Sequence, residues 1–113
     1  MSPRDPSNIL DILEAGRKVR KFLGDMDREA FEDNEMAQAA VIRELEIMGE
    51  ATKRLSKEFR EQREEVPWRR IAGMRDILIH CYDDVSMDVV WTIVAEDVPA
   101  LLPILERLLK ESD

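Results

Sequence analysis

Within Gly73-Met74-Arg75-Asp76-Ile77-Leu78-Ile79-His80-Cys81-Tyr82 the chain places an arginine, its only histidine and its only tyrosine in eight positions. On a helix that advances about 100° per residue, Arg75 and Tyr82 share a face, His80 sits about 140° from Arg75, and Asp76 and His80 are neighbours at i,i+4. A guanidinium can hold a phosphate bidentately, an imidazole exchanges a proton near neutral pH, and a carboxylate beside the imidazole orients it or stabilises its charge. Tyr82 can donate to a phosphate oxygen or accept a modifying group. These are the parts of a metal-independent phosphodiester cleavage: a clamp for developing charge and a proton shuttle. The same residue types on one helix also describe an ordinary structural cluster, and spacing alone does not separate the two.

Composition limits what can surround this stretch. The 113 residues suffice for one hydrophobic core, and residues 1–113 read as a single domain. With 44% hydrophobic and 37% charged residues, four glycines, five prolines and 5% aromatics, the balance favours an all-α fold. The formal net charge of −8 argues against a generic nucleic-acid coat. The distribution is uneven, however: residues 67–82 carry three arginines against one aspartate, and residues 1–24 five basic groups against three acidic ones. A polyanion can still bind if these two positive segments meet. One cysteine, Cys81, excludes an internal disulfide and a cysteine-based zinc site, and a lone histidine weakens any metal reading, so neither metal nor cofactor is expected. No apolar run approaches the ~18–20 residues needed to span a bilayer, and no secretory apolar segment opens the chain. A soluble cytoplasmic protein is the expectation.

The elements that must position the stretch follow from periodicity. Asp5-Pro6-Ser7 reads as a helix start, with Asp5 or Ser7 as cap and Pro6 preset for the first turn. Ile9, Ile12, Gly16, Val19 and Leu23 form one apolar face of a first helix that stops near Gly24, and Arg17, Lys18, Arg20 and Lys21 lie opposite it. That basic side is either a solvated surface or a phosphate-contacting edge. Residues 27–60 read as helical, with a break available near Asp33-Asn34. Val41, Leu45, Met48, Thr52, Leu55 and Phe59 form their buried stripe, and Gly49 within it suggests close approach of another helix. Pro67 restarts the chain, and a third helix is expected to about Cys81. A fourth spans about Met87–Glu96. Pro99 predicts a break near Asp97, with Leu101, Leu102, Leu105, Leu108 and Leu109 on the buried side of a last helix; alternatively Pro103 bends one continuous helix.

Arg75-x4-His80-x-Tyr82 resembles the R-x4-6-H signature of the HEPN superfamily, and in its R-x4-H-x-Y form that of HepT-like toxin ribonucleases. The resemblance extends along the chain. Ile9-Leu10-Asp11-Ile12-Leu13-Glu14-Ala15 resembles the first helix of that family. Val41-Ile42-Arg43, Gly49-Glu50-Ala51 and Leu55-Ser56 resemble its long second helix. Pro67-Trp68-Arg69 and Ile71-Ala72-Gly73-Met74-Arg75-Asp76 lead into the motif, and Val90-Trp91 and Val98-Pro99-Ala100-Leu101 match the tail.

The resemblance implies a four- to five-helix, up-and-down HEPN-like bundle that homodimerises, or assembles further, so that two motifs line a shared cleft. It implies the toxin half of a type II/VII-like HepT-MntA toxin–antitoxin system: a metal-independent endoribonuclease whose RNA 2′-hydroxyl attacks to leave a cyclic phosphate. By carry-over Arg75 binds the scissile phosphate, His80 is general acid/base and Asp76 supports them. Tyr82 matches the tyrosine to which the partner antitoxin, an MntA-like nucleotidyltransferase, transfers AMP. A departure follows the motif, where Asp83-Asp84 stand in place of the aromatic residue and glycine of many relatives. A two-fold axis near the motif would gather two copies of Arg69, Arg70 and Arg75. Arg69, Arg70, Arg17 and Lys18 are therefore the RNA-binding candidates. The alternative is a non-catalytic nucleotide- or partner-binding helical module paired with a nucleotidyltransferase.

Overall fold

The computed structural model describes residues 3–73 and 87–111. Helices make up the architecture, and no strand occurs among the described residues: the protein is an all-α bundle. The elements are α1 (Asp5–Leu23), α2 (Arg28–Glu32), α3 (Glu35–Arg54), α4 (Lys57–Gln62), α5 (helical over 68–73), α6 (Met87–Thr92) and α7 (Val98–Glu111).

Helix α1 is the central element, packing most extensively on α3 and next on α7. Its apolar stripe of Ile9, Ile12, Leu13, Val19 meets Val41, Leu45 and Met48 of α3 and Leu101 and Leu105 of α7 in one core. Each such buried side chain contributes roughly 1.5–3 kcal/mol over its exposed state. Gly16 sits where the three helices converge: a Cβ there would lie 2.6 Å from Leu102 Cδ2, 3.6 Å from Met48 Cε and 3.7 Å from Val98 Cγ1. The helix ends at Gly24, whose φ of 57° is a left-handed conformation that glycine adopts without strain, and its N–H donates to the Arg20 carbonyl.

Short polar side chains start three helices. Asp27 accepts from the Ala30 amide at 2.9 Å, Asn34 from Ala37 at 2.9 Å and Ser56 from Phe59 at 3.2 Å. The break at Asp33-Asn34 thus falls where the sequence offered one. The second break corrects the reading of a single helix to residue 60. Leu55 and Ser56 are extended, and Ser56 is drawn out of helical geometry by Asp5, whose carboxylate accepts from the Ser56 amide at 2.9 Å and its hydroxyl at 2.7 Å. The same contact corrects the expected cap of α1: Arg4 is the N-cap residue, without a side-chain cap bond, and Asp5 is fully buried against the α3–α4 bend.

The predicted break near Asp97 is also corrected. Residues 93–97 form a single π-helical turn, so 87–111 stay helical throughout, with Pro103 accommodated inside α7. Pro99 explains the turn. A proline ring clashes with the carbonyl four residues earlier, and widening the turn ahead of it relieves that clash while the Val98 N–H donates to the Ile93 carbonyl.

Candidate functional site: a basic cleft

Arg75, Asp76, His80 and Tyr82 lie outside the described residues, as do Asp83 and Asp84. The anchors on either side of them are defined. On the N-terminal side, α5 is seated by Trp68 and Ile71, both buried. The Trp68 indole N–H donates to the Arg63 carbonyl at 2.9 Å, and its ring lies 6.0 Å from that of Phe59 at a tilt of 54°. On the C-terminal side, α6 is seated by buried Val90 and by Trp91, whose ring stands 5.9 Å from the buried Phe31. Asp88 pairs with Arg28 of α2, which also pairs with Glu32 at 2.8 Å. Those two contacts, the hydrogen bond to Glu32 first and that to Asp88 second, raise the Arg28 guanidinium above its ordinary pKa.

An open cleft of about 570 Å³ includes Gly73, which in sequence stands two positions before Arg75, among its described lining residues. The described residues lining it are Lys53 from the last turn of α3, Lys57, Arg60 and Glu61 from α4, and Trp68, Arg69, Ala72 and Gly73 from α5. Four cationic side chains thus face one acidic one. Lys57 lies 3.8 Å from Glu61, whereas Arg60 and Arg69 have no carboxylate within salt-bridge distance among the described residues. An array of this kind can bind an anion by hydrogen bonds and charge together.

The four sequence-derived candidates for RNA contact are placed in different surroundings. Arg69 lines the cleft. Arg70 turns instead to Asp97 of the π-helical turn at 2.8 Å, beside a smaller and mainly apolar cavity of about 210 Å³. Arg17 pairs with Glu106 of α7 at 3.2 Å, and Lys18 is exposed on α1; neither lines the cleft. Sequence reasoning missed Lys53, Lys57 and Arg60. Their spacing of four and three matches the solvated side of any helix, and the bend at Leu55-Ser56 brings them over α5.

Among the described residues no three His, Cys, Asp or Glu side chains gather as a metal site would, and no helix is long and apolar enough to cross a membrane.

Comparison with known proteins gives these observations a context. The family model described as "Ribonuclease HepT-like" matches residues 12–108. The Methanocaldococcus jannaschii protein called "Putative RNase MJ1380" is 45% identical over 102 residues, which cover 89% of this chain and 94% of that one. "Probable ribonuclease HepT" of Thermococcus cleftensis is 43% identical over 100 residues, 88% of this chain and 91% of its own. "Putative RNase TTE0752" of Caldanaerobacter subterraneus is 42% identical over 83 residues, 74% of either chain. No solved structure matches the chain significantly.

Proposed function

Because the chain belongs to the HepT-like ribonuclease family, we propose that it is a metal-independent endoribonuclease and the toxin of a two-gene toxin–antitoxin pair. The observation that carries this reading is the family match over residues 12–108, which takes in Arg75-x4-His80-x-Tyr82 together with the helices that frame it. In the proposed reaction His80 accepts the proton of an RNA 2′-hydroxyl as that oxygen attacks the adjacent phosphorus. The 5′-oxygen of the next nucleotide leaves and takes a proton back from the imidazole, and the upstream fragment ends in a 2′,3′-cyclic phosphate. Arg75 holds the non-bridging phosphate oxygens and stabilises the charge that builds on them, and Asp76 orients the imidazole.

Two copies of the chain are proposed to face their motifs across a shared groove in the cytoplasm. The regulator is an MntA-like nucleotidyltransferase encoded as the antitoxin, which transfers AMP to the Tyr82 hydroxyl and so obstructs the phosphate site. The test is RNA cleavage in EDTA by the wild-type protein and by His80→Ala. Wild type is expected to leave cyclic-phosphate ends and the variant to leave RNA intact. Equal activity of the two proteins rejects the reading. Mass spectrometry after co-expression with the neighbouring gene is expected to place AMP on Tyr82.

A further inference from the structure

Most of the arginines in the described residues are engaged with carboxylates. Arg17 pairs with Glu106, Arg28 with Glu32 and Asp88, Arg54 with Asp11, Arg63 with Glu111, Arg70 with Asp97 and Arg107 with Glu65. In a chain of net charge −8 such pairing is the default, because acids outnumber bases everywhere except the N-terminal and motif segments. Arg60 and Arg69 depart from it: they face one open cleft with Lys53 and Lys57, and Arg60 Nε is buried without an acceptor among the described residues. The cavity of about 210 Å³ nearby offers no comparable site, since its arginine, Arg70, is already paired with Asp97.

We propose that this cleft is an extended RNA-binding groove, in which Lys53, Lys57, Arg60 and Arg69 hold the sugar-phosphate backbone of a single-stranded RNA next to its cleaved bond. The proposal rests on the ribonuclease reading for the identity of the polyanion and adds a location for the part of the strand that does not react. Three features carry it. The cations are clustered in a chain of net charge −8, so an anion is drawn to this cleft over the acidic parts of the surface. Trp68, Arg69, Ala72 and Gly73 of the lining belong to the segment that leads in sequence directly into Arg75-x4-His80. Among the described lining residues Trp68 alone is aromatic, and it is buried against Phe59 with its N–H engaged. Lys53, Lys57, Arg60 and Arg69 therefore hold the strand through its phosphates, a mode of contact that tolerates different sequences.

The decisive experiment measures binding apart from cleavage. A fluorescein-labelled 2′-O-methyl oligouridylate lacks the attacking hydroxyl, and its anisotropy with the full chain is followed over a range of KCl concentrations. Lys57→Glu/Arg69→Glu is expected to weaken binding several-fold more than Arg43→Glu, an equal change per residue at an exposed position about 15 Å away along α3. The slope of log affinity against log salt is expected to fall by about 0.7 for each phosphate that is no longer neutralised. Lys57→Gln/Arg69→Gln gives the same ordering should charge reversal disturb folding. Equal losses in cleft and control variants, an unchanged salt slope, or displacement of the oligonucleotide by polyglutamate at equal charge concentration overturns the proposal. Cleavage of unmodified RNA is assayed in parallel: an inactive wild type rejects the ribonuclease reading, while the binding data still decide the groove.

Discussion

Asp5 and Ser56 lie 51 positions apart in sequence and are joined by two hydrogen bonds, from the Ser56 amide at 2.9 Å and from its hydroxyl at 2.7 Å to the two oxygens of one buried carboxylate. Asn8 reinforces the junction, its side-chain amide donating to the Arg54 carbonyl at 3.3 Å. The start of α1 thereby fixes the bend from which α4 departs, and α4 carries Lys57 and Arg60 into the cleft. Hydrogen bonds to a charged acceptor are worth about 1.5–3 kcal/mol. Asp5→Ala removes both and strands a buried amide, so a loss of about 2–3 kcal/mol is expected, read as a fall in Tm of roughly 8–12 °C. Asp5→Asn keeps one carbonyl acceptor and is expected to lose about half as much. A melting temperature unchanged by Asp5→Ala excludes this role.

A second prediction concerns the crossing of α1 with α7. Gly16→Ala puts a methyl group 2.6 Å from Leu102 Cδ2, the free end of a side chain that can rotate aside. The gain of about 1 kcal/mol in helix propensity offsets that adjustment, so the net change is expected to stay within about 1 kcal/mol. Gly16→Val adds two further carbons in a site already bounded by Leu102 and by the buried Met48 and Val98, and is expected to cost about 1–3 kcal/mol by overpacking. Chemical denaturation of the two variants checks the ordering.

How far the sequence disclosed this arrangement depends on the range of the signals. Gly24 and Asn34 mark ends that their own chemistry dictates, and both were legible. Ser56 was not, because Leu55 and Phe59 continue the apolar stripe of α3 at helical spacing across the bend, and only a partner 51 residues away reveals the interruption. Asp5 misled in the same manner: a carboxylate beside a helix start reads as a cap until the fold supplies a stronger donor pair. Pro99 identified the right place but the wrong consequence, since a chain held between Trp91 and Leu101 in the core widens its helix instead of breaking it. At the site, the spacing of Arg75, His80 and Tyr82 is a local pattern. The cluster of Lys53, Lys57, Arg60 and Arg69 is assembled from three helices and has no linear signature.

Arg28 offers a third prediction. Its contacts to Glu32 and Asp88 raise its pKa, so the stabilisation linked to its protonation is fully present below the ordinary guanidinium range and is lost only as pH rises through the raised value. Around neutrality this contribution is therefore insensitive to pH and is weakened instead by salt. Arg28→Ala is expected to accelerate amide exchange in Met87–Thr92, the helix that Asp88 ties to α2, while leaving exchange in α1 unaltered. Equal acceleration in both helices excludes a local anchoring role.

The neighbouring arginines 69 and 70 provide the sharpest separation of binding from stability. Arg70 is committed to Asp97 at 2.8 Å, whereas Arg69 lines the cleft with no carboxylate within salt-bridge distance among the described residues. Arg70→Ala leaves the half-buried Asp97 carboxylate uncompensated and is expected to lower stability, by up to about 1 kcal/mol because the arginine itself is largely solvated, with little effect on RNA affinity. Arg69→Ala is expected to do the reverse: melting unchanged, affinity for single-stranded RNA reduced several-fold at low salt, and the difference shrinking as salt screens the attraction between guanidinium and phosphate. Parallel melting and anisotropy measurements on the two single variants suffice. If Arg70→Ala weakens RNA binding as much as Arg69→Ala does, then the pair with Asp97 opens when RNA arrives and the groove extends past α5 toward the π-helical turn.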